Sequence, residues 1–222
     1  MLNKEEIKKN KELFIELLKK IKRPDAQIEE LINKLEKGDF FIAPASTNYH
    51  SSYEGGLCKH SLNVYEQLVK LCEIEFPKKK VEETKEDGDV EIKYENTCPY
   101  SEETLIIVAL LHDISKMNFY ETSLRNVKNE KGEWVQVPFI KTKEAKDRFI
   151  YSTHGANSEF MVRTFIPLTI EESCAIINHM GGKETGSNGF DNNLSEIFNK
   201  YSLALLLHSA DMLATFFMEK LF

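Results

Sequence analysis

The segment Thr104–Ile114, TLIIVALLHDI, constrains the fold more than any other stretch of the chain. It is apolar around nearly the whole circumference of a helix, so it reads as a central helix packed on every side. Yet it ends on His112 and Asp113. An acid at the C-terminal end of a helix opposes the macrodipole, and burying it costs desolvation energy. Such a carboxylate is normally paired or bound to a metal ion. Asp211 repeats the anomaly inside LALLLHSADMLATFF, the second most apolar stretch. Two unexplained acids on the two most buried helices point to a shared cation.

The rest of the pattern is mostly helical. Ile7, Phe14, Leu17, Leu18 and Ile21 form an amphipathic stripe over residues 4–22, which Pro24 ends, and Asp25 caps a second helix through Leu35. A loop over Gly38–Gly56 leads into a helix over Leu57–Phe76, and Ser101 opens the central helix. Further helices are expected at 153–165, at 169–180 with a Thr169/Glu172 capping box, and at about 194–220. Residues 77–98 are charged and poor in large apolar side chains, which predicts a mobile surface insertion. Residues 119–142 read as two strands joined through Asn129–Gly132, and residues 181–193 as a flexible loop. The expectation is a mainly α bundle with one small β-hairpin insertion. Residues 1–37 would be an N-terminal helical extension and 38–222 the main domain. At 222 residues, 41% apolar and 29% charged, the chain can bury one large core without staples.

Composition narrows the class of function. Lys and Arg total 29 against 36 Asp and Glu, a net charge of −7. That balance argues against bulk nucleic-acid binding and against an anionic membrane surface. Cys58, Cys72, Cys98 and Cys174 form no C-x-x-C pair, as expected of reduced thiols rather than a zinc ribbon. The first twenty residues have no apolar signal region, and no stretch is apolar for about eighteen residues. A cytoplasmic location is expected.

Six histidines accompany the two acids: His50, His60, His112, His154, His179 and His208. In order, His60, His112-Asp113, His154, His179 and Asp211 spell H…HD…H…H…D, within the words EGGLCKHSLNV, ALLHDISK, THGANS, IINHMGG and LHSADMLAT. Over roughly residues 40–220 the chain resembles the HD-domain metal-dependent phosphohydrolases, in particular the HD domain of a bacterial exoribonuclease family and prophage-type HD proteins. The resemblance implies an HD-type helical bundle. It also implies a first metal held by His60, His112, Asp113 and Asp211, with Asp113 bridging to a second held by His154 and His179. Asp113 and Lys116 would be catalytic. His50 and Lys116 would reach the substrate phosphate, and the usual Gly before that lysine is here Ser115. Arg125 on the hairpin could add charge to the phosphate, or lie on a solvated strand edge. His208 would support the ligands from behind or be a core residue.

Imidazole and carboxylate together suit Mn²⁺, Fe²⁺, Co²⁺, Ni²⁺ or Zn²⁺. Two such ions about 3.5–4 Å apart generate a hydroxide nucleophile and clamp the oxygens of a phosphoryl group. The leading expectation is therefore a phosphohydrolase that cleaves a phosphomonoester or phosphodiester of a nucleotide or short oligonucleotide. One alternative is a dinuclear-iron HD-type oxygenase, which would use the same ligands to activate O₂. The other is a non-catalytic HD ligand-binding module, whose signature would be a missing ligand.

Overall fold

The computed structural model of the protein describes residues 2–47, 50–84, 90–181 and 192–219. The expected flexible loop over 181–193 falls largely outside them. Helix α1 spans Lys4–Leu18, α2 Ile28–Lys37, α3 Gly56–Glu75, α4 Glu102–Leu111, α5 His154–Arg163, α6 Ile170–Asn178, α7 Asn192–Lys200 and α8 Ser202–Leu213. Hairpin β1–β2 pairs Lys79–Thr84 with Val90–Glu95, and hairpin β3–β4 pairs Tyr120–Lys128 with Trp134–Thr142, both antiparallel. The protein is mainly α. Among the described residues no single helix is long and apolar enough to cross a membrane.

Helix α4 is central, as its composition requires. Every residue from Leu105 to Leu111 is buried, and Ser101 caps the helix by accepting from the Thr104 amide. Helices α1, α3 and α6 pack around it, and α8 lies against α3 and α6. The extension expected over 1–37 joins the same core: Phe14, Leu18, Leu31 and Leu35 are fully buried within it. Burial of each such side chain stabilises by about 1.5–3 kcal/mol. Phe14 also packs edge-on or tilted against Phe40 and Phe41, with ring centroids 5.0 and 5.6 Å away.

Three local expectations are corrected. Asp25 does not cap α2: it takes a left-handed turn (φ 63°), and the helix starts after Gln27, whose amide donates to the Phe165 carbonyl at 2.7 Å. The charged insertion over 77–98 carries hairpin β1–β2. Val90, Ile92 and Tyr94 alternate with charged residues there, a strand period that the high charge conceals. The helix expected over 194–220 breaks at Tyr201, with a bend of 111° between α7 and the segment beginning with α8. The new start is supported from outside, because the Leu203 amide donates to Glu171 on α6.

Candidate metal centre

Three helix ends and two further helices converge on a single buried point. Helices α4 and α6 both terminate in a histidine. His112 is the C-cap of α4 and donates from Nδ1 to the Ala109 carbonyl at 2.8 Å; His179 is the C-cap of α6 and donates from Nδ1 to the Ile176 carbonyl at 2.7 Å. A carbonyl can only accept, so the proton is on Nδ1 in both rings and Nε2 faces the centre. The arrangement also satisfies a carbonyl that each helix end would leave unpaired. His154 opens α5, where Thr153 caps the helix. Gly155 lets that helix start lie directly on the end of α6: a Cβ there would stand 2.2 Å from the Ile177 carbonyl oxygen. His60 comes from α3 and Asp211 from α8.

Asp113 is the hub. Its Oδ2 is 3.6 Å from His60 Nε2 and 3.5 Å from His112 Nε2. Its Oδ1 is 3.4 Å from His179 Nε2 and in close contact with His154 Nε2. The two oxygens of one carboxylate therefore face different pairs of imidazoles. Asp211 Oδ1 joins the first pair, 3.2 Å from His60 Nε2. His60 with His112 and Asp113, and Asp113 with His154 and His179, each form a set of donor atoms that could hold a metal ion.

The electrostatics favour positive charge at the hub. Burial opposes ionisation of Asp113, but Lys116, His112 and His154 hold it well below the usual carboxylate range. Burial likewise opposes charge on Asp211, and His60 lowers its pKa. Burial works against protonation of His60, yet Asp211 and Glu219 raise it to about 10. His112 is lowered, chiefly by burial. His179 Nε2 is buried without a hydrogen-bond partner. An orphaned imidazole nitrogen beside two ionised carboxylates, in a donor set of nitrogen and oxygen only, fits a borderline to hard divalent ion.

The remaining candidates separate clearly. Lys116 is brought in, its Nζ 2.7 Å from Asp113 Oδ2; burial opposes its charge and Asp113 raises its pKa. Ser115, where the family usually has Gly, is buried against His154, with its Oγ 3.3 Å from Nδ1. His50 is also brought in, with its ring centroid 4.8 Å from that of His60. Burial, then the His60 and Lys116 charges, push it down to about 4. His208 touches the backbone behind the centre, donating from Nδ1 to the His179 carbonyl at 2.6 Å. Arg125 is not brought in. It is exposed on β3 with its guanidinium over the Phe139 ring at 5.4 Å, which fits the solvated strand edge.

One residue escaped the sequence reading. Glu219 follows a π turn over Ala214–Met218, and its side chain is buried against Nδ1 of His60 at 3.0 Å. A single acid in a Phe-rich tail carries no periodic or motif signal.

Residues 57–214, more than half of the chain, match the family model of the HD domain. The chain belongs to the HD domain family. Membership places this HD domain in the metal-dependent phosphohydrolase superfamily, whose members are generally hydrolases and bind divalent metals. No curated protein and no solved structure matches the chain.

Proposed function

We propose that this HD domain hydrolyses a phosphomonoester or phosphodiester of a nucleotide or short oligonucleotide, using two divalent ions. His60, His112, Asp113 and Asp211 would hold the first ion, and Asp113, His154 and His179 the second. The observation that carries this is the division of labour at Asp113, whose two oxygens each face their own histidine pair. Bound there, the ions supply Lewis acidity to the phosphoryl group and lower the pKa of a coordinated water. Manganese suits a set of imidazoles and carboxylates without thiolates.

The chain's own groups supply the rest. Lys116 is a positive charge fixed beside the hub, able to take a phosphate oxygen in place of Asp113. His50 is neutral at physiological pH by its lowered pKa, and its Nε2 has no partner among the described residues. It can therefore present a hydrogen bond to a substrate oxygen without adding charge. These two groups suit a phosphate better than O₂. The net charge of −7 favours a small phosphorylated substrate over a long polymer. The four cysteines are free thiols, which supports a reducing, cytoplasmic setting.

The test combines metal analysis with a screen of nucleotides and phosphodiesters under Mn²⁺, Ni²⁺, Co²⁺ and Mg²⁺. The double variant His154→Ala/His179→Ala should lose about one ion equivalent and turn over ~10²-fold or more slowly. Equal metal content in both proteins would leave a mononuclear centre as the better reading.

A further inference from the structure

The HD domain match ends at residue 214, where a π turn over Ala214–Met218 begins and delivers Glu219 to the centre. In a continued α-helix the residue seven after Asp211 would share its face. The wider turn, closed by the Glu219 amide donating to the Ala214 carbonyl at 3.1 Å, moves that position on by one. Glu219 and Asp211 consequently grip opposite sides of one imidazole: Asp211 lies 3.2 Å from His60 Nε2, and Glu219 lies 3.0 Å from Nδ1.

Both Glu219 oxygens are committed to donors. Oε1 accepts from Asn63 Nδ2 at 2.9 Å, Oε2 accepts from Ser51 Oγ at 2.7 Å, and His60 Nδ1 lies 3.0 and 3.2 Å from the two. His50, His60 and Glu219 also form a set that could hold an ion. Ligation there would take the carboxylate away from three donors at once, two of them the buried side chains of Ser51 and Asn63. The geometry fits a fixed hydrogen-bond acceptor better than a metal ligand.

We propose that Glu219 is a positioning residue for the first ion: it keeps the His60 proton on Nδ1, so that Nε2 offers its lone pair to the metal. A carboxylate behind a metal-binding histidine fixes both its tautomer and its ring orientation, and removing one typically costs 10–100-fold in affinity. The same carboxylate ties down Ser51, whose backbone is left-handed (φ 45°) and which follows His50 directly. The role rests on the two-ion reading above, and it adds a part of the site that lies outside the family match.

The test is Mn²⁺ binding measured by competition with a chromophoric chelator, resolving two constants, together with ¹⁵N-histidine NMR of the protein loaded with diamagnetic Zn²⁺. Glu219→Ala should weaken one ion by about 10–100-fold, leave the other within about threefold, and shift the His60 signals away from the Nδ1–H tautomer. Glu219→Gln keeps an acceptor oxygen but loses the charge, so it should retain that tautomer and weaken the same ion by about three- to tenfold. Should the alanine variant fail to fold, the Gln variant decides: a loss confined to one ion supports the role. Unchanged constants, or equal weakening of both ions, overturn it. A wild-type protein that binds no divalent ion would instead overturn the two-ion reading itself, and this inference with it.

Discussion

The two ends of α6 bury charge in opposite ways. At its start, Glu172 accepts from both terminal nitrogens of Arg23 at 2.7 Å, from Thr104 Oγ1 at 2.9 Å and from the Thr169 amide at 2.8 Å. Four donors saturate one carboxylate, and Arg23 bonds the Pro167 carbonyl as well. At its end, His179 turns an unpartnered nitrogen toward Asp113, which already faces three other imidazoles and one ammonium. The first cluster is complete as protein and holds the N-terminal segment to the bundle. The second leaves a buried imidazole nitrogen without a hydrogen-bond partner and, on the proposed function, would be completed by divalent ions. The two ends thus differ in hydrogen-bond satisfaction rather than in residue type.

The largest effect should come from breaking the second cluster at its hub. Asp113→Asn keeps the shape of the side chain but removes the charge that both ions share. Turnover on a phosphoester should fall by ~10³-fold or more and metal retention should collapse, while the circular dichroism spectrum stays native. Wild-type metal content in that variant would contradict the assignment.

The first cluster should answer in the opposite sense. Glu172→Ala strands a mostly buried guanidinium and should cost about 3–5 kcal/mol, a fall in Tm of roughly 10 °C, with the ion constants unchanged in the folded fraction. Equal loss of stability and metal affinity would mean that the two ends are coupled. Acid should expose the same pairing more gently. Burial opposes the Glu172 charge, but Arg23, the Thr169 amide and Thr104 lower its pKa below the ordinary 4.5. Its contribution is complete above that value and is lost as pH falls through the lower folded value. Denaturant titrations from pH 6 to 3 should show this slope in the wild type and a shallower one in Glu172→Gln. The smallest effect is at the cap: Thr169→Ala removes the acceptor for the Glu172 amide, a cost of about 1 kcal/mol, read as a shift in denaturant midpoint.

What the sequence disclosed follows from the same contrast. The apolar run before His112 and the Thr169/Glu172 box are local signals, and both are found as expected in the structure; of the ordered ligand-type residues, His60, His112, Asp113, His154 and His179 fall into two donor sets that could hold an ion, and Asp211 lies beside His60. Glu219 was invisible because its position depends on a widened turn that no residue type announces. The Arg23–Glu172 pair was invisible because its partners are 149 residues apart: Glu172 is legible only as the capping-box acid and Arg23 only as surface charge. Arg125 offered a charge without a place for it, and the structure leaves it exposed on a strand over the Phe139 ring. The hairpin at Lys79–Glu95 was hidden by charge that masked its alternation.

The most direct test of the contrast is a titration of metal-free wild-type protein with Mn²⁺, followed by mass-spectrometric metal counting and by Tm. About two equivalents should bind, and Tm should rise with free ion concentration as expected for ligands that bind only the folded state. The same titration of Glu172→Ala should give the same stoichiometry from a lower starting Tm. A folded wild-type protein that retains no divalent ion and shows no shift in Tm would contradict the claim that the centre at Asp113 is completed by cations.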